Sequence, residues 1–231
     1  MDELQKLLQR TELFRDMPGE VLAGQVLPCG YLQEIQQNRF VIEPRQRVDF
    51  FSIVVSGKIY ILHLFPDGGH SLMTALTVGE AMGIDLICTR NRISPYHAAA
   101  VQPAKLLTFP ADLLLKPGLL REDCRLEVLN RLLTMISQYN MKKEYRLAIL
   151  SQKGLRERII TYLMMQAGKR QTNTFRIPFT REEMAAFLCV NRSALSHELS
   201  LMEQEGLISF RKNEFTLLCP EKWTAHGTYE L

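Results

Sequence analysis

The sequence predicts an α+β chain in three stretches: short antiparallel strands, one long helix, and a small closing module of helices and a hairpin. Three features point there. Runs rich in β-branched and aromatic residues, broken by turn signals, fill residues 38–110. From about residue 119, leucines recur at steps of three and four. After Phe179, two short helical patterns are followed by two short apolar runs.

Residues 1–27 read as short helical turns carrying Leu4, Leu7, Leu8, Leu13 and Phe14. The strand runs are NRFVI, DFFSIVVSG, KIYILHLF, HSLMTALTVG and AAAVQPAKLLTF, separated by EPRQ, SGK, PDGG, VGE and SP. Short strands at roughly 8–12-residue spacing suggest an antiparallel sandwich or small barrel. Pro66-Asp67-Gly68-Gly69 is the clearest hairpin loop, because its glycines allow positive φ.

In the long helix, Leu126, Leu129, Leu133, Ile136 and Asn140 follow steps of 3, 4, 3 and 4, the a/d seam of a coiled coil. Two readings are open: a helix packed on its own domain, or a helix pairing with its twin. Ser151 is a reasonable N-cap, and Gly154 weakens helix continuity. A helix then spans about 155–167 with Ile159, Ile160, Leu163 and Met164 apolar, closed by Gly168. The strand Phe175–Pro178 follows. The expected domains are 1–118, 119–150 and 151–231.

Composition narrows the function. The 231 residues hold 28 Lys/Arg and 25 Asp/Glu, a net charge of +3. Residues 1–150 carry +1 and residues 151–231 carry +2 (11 Lys/Arg, 9 Asp/Glu). Neither a basic nucleic-acid coat nor an acidic tail fits, so any nucleic-acid binding needs a local patch. No apolar run approaches the ~18 residues of a membrane span. The charged start MDELQKLLQRTELF lacks the pattern of a secretory signal, so the cytoplasm is expected. Five cysteines with no C-x-x-C pair read as reduced structural thiols, with redox activity at Cys88 or Cys124 left open. No P-loop, G-x-S-x-G or H-E-x-x-H occurs. A metal-dependent cupin-like enzyme would need an H-x-H, yet His63 and His70 are seven apart. No catalytic residue, metal ligand or cofactor is assigned.

The informative stretch is FTREEMAAFLCVNRSALSHELSLMEQEGLI, Phe179–Ile208. Thr180 with Glu183 three residues on is a capping box opening a helix over about 181–188. Cys189-Val190-Asn191 is a tight turn. The next helix runs to about Gln204 with Leu195, Leu199 and Met202 as its buried stripe. Ser193, Ser196, His197 and Ser200 occupy the opposite face, flanked by Arg192. Leu207–Phe210 and Phe215–Leu218 then enclose Arg211-Lys212-Asn213-Glu214 as a hairpin. Helix, turn, helix and hairpin is the pattern of a winged helix-turn-helix. A narrow polar face can enter a major groove, and Arg192 can pair bidentately with guanine. Thr180 and the first helix's amides suit a phosphate. The plainer alternative is a small helical domain with a solvated polar face.

The order of parts resembles the catabolite-activator / fumarate-nitrate regulator (CRP/FNR) family of bacterial transcription factors over about residues 12–218. VNRSALSHELSLMEQEGLI is the most specific piece, with FFSIVVSGKIYI before PDGG, then LTVGEAMG. The resemblance implies a β-roll sensor domain, a dimerisation helix and a winged helix-turn-helix. It implies a homodimer on a pseudo-palindromic operator, with RNA polymerase as a further partner. Arg192, Ser193 and His197 fall at base-reading positions, with Ser196 beside them, and Thr180 and Arg181 at phosphate positions. His197 is a departure, since arginine is common there.

Family members that bind cyclic nucleotides carry Gly-Glu and Arg-Ser pairs. Here the first reads Gly83-Ile84-Asp85, and Ser94 stands near the Arg position, with Arg90 and Arg92 close. Isoleucine cannot accept a hydroxyl hydrogen bond, so a cyclic nucleotide is not expected. An iron–sulfur cluster lacks its cysteines, since only Cys29 lies in the first 80 residues. Haem on His63, His70 or His97 stays open. A small organic effector is the remaining option, with Gly83, Ile84, Asp85, Ser94, Tyr96 and His97 as candidate pocket residues.

Overall fold

A computed structural model of the chain describes residues 3–66 and 68–218. Asp67 of the expected hairpin loop and Cys219 lie outside the described residues. The chain divides into two compact units, Met1–Leu64 with Met73–Met141 and Phe65–Leu72 with Lys142–Leu231.

The strands from the amino-terminal end are β1 (Tyr31–Ile35), β2 (Phe40–Ile42), β3 (Phe50–Ser56), β4 (Ile59–Leu64), β5 (His70–Leu76), β6 (Ala81–Met82), β7 (His97–Ala100) and β8 (Ala104–Pro110). They form two four-stranded sheets, in the orders β1-β8-β3-β6 and β2-β7-β4-β5. β8 runs antiparallel to both β1 and β3, and β7 to both β2 and β4.

The first sheet is covered on both faces. Phe51, Ile53, Leu107 and Phe109 point into one core, with Leu8 of helix α1 (Glu3–Leu8) and Phe14. Val54, Ala104 and Leu106 point into a second core, with Ile42, Ile59, Ile61, Ala98 and Ala100 of the other sheet. Burial on both faces explains why DFFSIVVSG reads as a continuous apolar run rather than an alternating one. Its one polar break is satisfied internally: Ser52 and Thr108, opposite each other across β3 and β8, share a hydrogen bond of 2.8 Å. Gly57 turns β3 into β4 at φ 86°, and a Cβ there would stand 2.5 Å from the Pro103 carbonyl oxygen.

The long helix α2 spans Glu122–Leu150. Cys124, Val128, Leu132 and Met135 bury into the first core, with Leu129, Ile136 and Tyr139 half-buried beside them. Its last turns belong to the second unit, where Ile149 is buried and Ala148 packs alongside. The unit border therefore falls inside the helix, between Met141 and Lys142.

The second unit continues with α3 (Leu155–Arg170), β9 (Thr174–Arg176), α4 (Arg181–Phe187), α5 (Arg192–Gln204), β10 (Ile208–Arg211) and β11 (Glu214–Leu217). The three strands form a sheet in the order β10-β11-β9. The N-cap of α3 is Gly154, in extended conformation and without a side-chain cap. Ser151 is not that cap; its hydroxyl donates back to the Ala148 carbonyl at 2.9 Å. Nor does Gly168 end α3. The helix runs on to Arg170 and stops where Gln171 turns left-handed at φ 54°.

Candidate nucleic-acid interface

The site is built from α4, α5 and the β10–β11 hairpin. Thr180 opens α4 as the N-cap. Its hydroxyl accepts from the Glu183 amide at 3.3 Å, and the Glu183 carboxylate accepts from the Thr180 amide at 2.6 Å. Two of the helix's unpaired N–H groups are thereby satisfied. Asn191 caps α5 the same way: its carboxamide oxygen accepts from the Ala194 amide at 2.7 Å and the Ser193 hydroxyl at 2.9 Å.

Leu195, Leu199 and Met202 are fully buried, with Met184, Leu188 and Phe215 in the same core. Anchoring one stripe turns the rest of α5 outward. Arg192, Ser193, His197 and Ser200 are exposed, and Ser196 is half-buried. The structure thus places Arg192, Ser193, Ser196 and His197 on one accessible helix. Thr180 and Arg181 lie at the start of α4, Thr180 exposed and Arg181 half-buried.

Several supporting contacts are not marked in the sequence. The Arg156 guanidinium reaches Glu198 at 2.6 Å and Glu205 at 2.7 Å. Arg158 donates to the Gln152 carbonyl at 3.1 Å and the Leu188 carbonyl at 3.3 Å. Glu203 accepts from the Phe210 amide at 3.2 Å, tying α5 to the hairpin. Arg181 lies with its Cζ 4.8 Å from the Phe210 ring centre and 5.7 Å from that of Phe215. Burial, with the Arg192 charge nearby, pulls the Arg181 pKa below arginine's ordinary value.

In the first unit, Gly83 sits at φ 81° before a single helical turn, Ile84–Ile87. Tyr96 donates its phenol to Asp85 at 2.8 Å. Burial, with the Asp85 charge beside it, pushes that phenol's pKa up. The Ser94 hydroxyl donates to the Tyr96 carbonyl at 2.8 Å. Asp85, Ser94 and Tyr96 are thus linked. Ile84 lies in the first core, whereas Tyr96 lies in the second. The His97 ring lies tilted against Phe40, ring centres 5.1 Å apart, and its Nδ1 is buried without a hydrogen-bond partner among the described residues.

Along α2, Leu126 and Leu133 are 53 % and 64 % exposed, and Asn140 is exposed. Leu129 and Ile136 lean on the first core.

These features define a winged helix-turn-helix protein of the DNA-binding, transcription-regulating class. The comparisons with known proteins agree. The Crp-like helix-turn-helix domain model matches residues 157–222. The transcriptional activator protein FnrL of Cereibacter sphaeroides is 26 % identical over 189 residues, covering 78 % of this chain and 73 % of that protein. FixK2 of Bradyrhizobium japonicum superposes with a TM-score of 0.63 at 16 % identity, over 87 % of this chain and 99 % of that one. A CooA mutant of Carboxydothermus hydrogenoformans gives 0.61 at 18 % identity, over 89 % and 93 %. The chain thus carries a Crp-like helix-turn-helix domain over residues 157–222 and is similar to transcription regulators of the CRP/FNR type. The proteins it is similar to are transcription regulators and not enzymes. Among the described residues, no helix is long and apolar enough to cross a membrane.

Proposed function

We propose that the protein is a homodimeric, sequence-specific transcription regulator that reads a pseudo-palindromic operator in the cytoplasm. The observation that carries this is the outward face of α5. Arg192, Ser193 and His197 are exposed above a stripe buried at Leu195, Leu199 and Met202. That face fits a major groove, with Arg192 on a guanine and the first turn of α4, at Thr180 and Arg181, on the phosphate side. The exposed leucines of α2, Leu126 and Leu133, support a second copy along that helix, with Leu129, Ile136 and Asn140 on the same seam. RNA polymerase is a further partner of a regulator that activates.

A small effector other than a cyclic nucleotide fits the first unit best. Ile84 is buried and offers no acceptor for a ribose hydroxyl. Gly83, Asp85, Ser94, Tyr96 and His97 are the candidate groups for its pocket, Asp85, Ser94 and Tyr96 being joined by hydrogen bonds. Calorimetry should detect no cyclic AMP binding at micromolar concentration; tight binding would remove this part of the reading.

The central experiment is selection from random duplex DNA with purified protein, with and without a cell metabolite extract. Two inverted half-sites about one helical turn apart should be enriched. A pool that stays random under both conditions defeats the proposal.

A further inference from the structure

We infer that Arg181 is a wing-positioning residue: it holds the β10–β11 hairpin against α4, and Lys212 at the hairpin tip is the basic group so presented to the DNA backbone. The inference rests on the DNA-binding reading above and assigns Arg181 an indirect part in it.

Arg181 is the first residue of α4. A cation is disfavoured there, because the helix's unpaired N–H groups already make that end positive. Glu182 and Glu183 in the same turn have the favoured sign. Arg181 is half-buried, and the Arg192 charge adds to the cost. Its position is offset by contacts of another kind, all with the hairpin.

Phe210 and Phe215 face each other across β10 and β11, with ring centres 5.7 Å apart. The Arg181 guanidinium lies against both rings, as a delocalised, weakly hydrated cation does well. Its Nη2 then donates to the Lys212 carbonyl at 3.3 Å. One side chain therefore touches both the turn of the hairpin and the aromatic pair that lies one step behind its closing pair. The tip is pinned on its other side as well. The Asn213 carboxamide donates to the Ile177 carbonyl at 3.0 Å, and the Ile177 amide donates to the Asn213 carbonyl at 2.9 Å.

Between these restraints Lys212 adopts φ 56°, a left-handed conformation that side chains other than Gly and Asn seldom take. Its side chain is exposed, next to exposed Arg211. The hairpin thus offers a fixed, outward, two-residue basic tip while the guanidinium of Arg181 is engaged beneath it. A phosphate contact needs only a point charge; a stacked contact needs the planar guanidinium.

That difference gives the test. Binding of a random-sequence duplex is titrated over a range of salt concentrations for the wild type, Arg181→Lys, Arg181→Ala, Lys212→Ala and the Arg181→Ala/Lys212→Ala pair. Lys212→Ala should weaken binding about 3- to 10-fold and reduce the salt slope by about 1. Arg181→Ala should do the same, and the double variant should be no worse than either single one. Arg181→Lys should behave like Arg181→Ala although its charge is kept. Amide hydrogen exchange over 211–214 should quicken in both Arg181 variants, with or without DNA. If Arg181→Lys binds like the wild type, and the losses at 181 and 212 multiply, Arg181 contacts phosphate itself; the inference is then wrong while the DNA-binding reading stands. Unchanged exchange over 211–214 also overturns it. A wild-type protein that retains no duplex at low salt overturns the DNA-binding reading and Lys212's role with it.

Discussion

Arg156 Nε and Glu198 Oε1 stand 2.6 Å apart, joining α3 to the middle of α5. The two terminal nitrogens of the same guanidinium hold both oxygens of Glu205, at 2.7 and 2.9 Å, just past the end of α5. A single planar fork thus fixes the second helix of the helix-turn-helix at two points along its length. Bidentate geometry restrains orientation as well as distance. The direction in which Arg192 and His197 point is set from behind by this fork and by the buried leucine stripe.

Removing the fork should therefore cost stability and acid sensitivity together. Arg156 and Glu198 are half-buried and Glu205 is exposed, so solvent screens the fork and Arg156→Ala should cost only about 1 kcal/mol, read as a lower thermal midpoint of the second unit. The pH dependence has a definite sign. Hydrogen bonds from Arg156 hold the Glu205 carboxyl below the ordinary carboxylate range. A pKa lowered by folding adds stability at neutral pH, and that stability is lost as pH falls from the ordinary carboxylate value through the folded one. Urea midpoints of the wild type should fall across that acid window. In Arg156→Ala the Glu205 share of the fall should vanish, and Glu205→Gln should reproduce it. Parallel acid profiles for all three proteins would show that the fork contributes nothing.

The capping box predicts a graded series at the entrance of α4. Glu183 is 3 % exposed, so its carboxylate depends on the Thr180 amide it accepts from. Thr180→Ala should cost about 1 kcal/mol, because the Glu183 amide loses its acceptor. Thr180→Ser should keep most of it. Chemical denaturation of the three proteins decides; equal stability for Ala and Thr would mean that water replaces the hydroxyl fully.

The long helix predicts two opposite phenotypes one residue apart. Leu132 is buried in the first core, and Leu133 is exposed. Leu132→Ala should lower stability by about 2–5 kcal/mol with the oligomeric state kept. Leu133→Asp should leave the fold intact and yield monomers in sedimentation. A Leu133→Asp dimer as tight as the wild type would place the subunit contact elsewhere.

The sequence made the second unit more legible than the first. Thr180–Glu183, the Leu195–Leu199–Met202 stripe and the Arg211–Glu214 turn are local patterns, and local hydrogen bonds and helical spacing suffice to make them. The helix seam was harder, because an amphipathic helix of this length has two apolar faces. Leu126 and Leu133 mark one; Cys124, Val128, Leu132 and Met135 mark the face that its own unit covers. Spacing alone cannot say which face meets which neighbour. Arg156, Arg158 and Arg181 were harder still. Apart from Gln152, six residues before Arg158, their partners lie 29 to 49 residues away along the chain, so no short motif marks them. Ser151 and Gly168 show a third limit. The residue type suits a helix end, but the packing of Ile149 and the left-handed Gln171 decide where the helices stop.

The exposed end of α5 carries the sharpest consequence for DNA. Arg192 is the first residue of that helix and is exposed. Its charge lies at the helix end where a cation is unfavourable, so Arg192→Ala should leave the fold as stable as before or slightly more so. A guanidinium that pairs with guanine contributes about 1–3 kcal/mol of discrimination. The variant should lose specific affinity by that amount and become tolerant at one base pair in each half-site. Binding to random-sequence duplex should fall far less. Thermal unfolding controls for the fold, and selection from random DNA with the variant reads the preference directly. An operator recovered with the wild-type base intact at every position would remove Arg192 from the reading face.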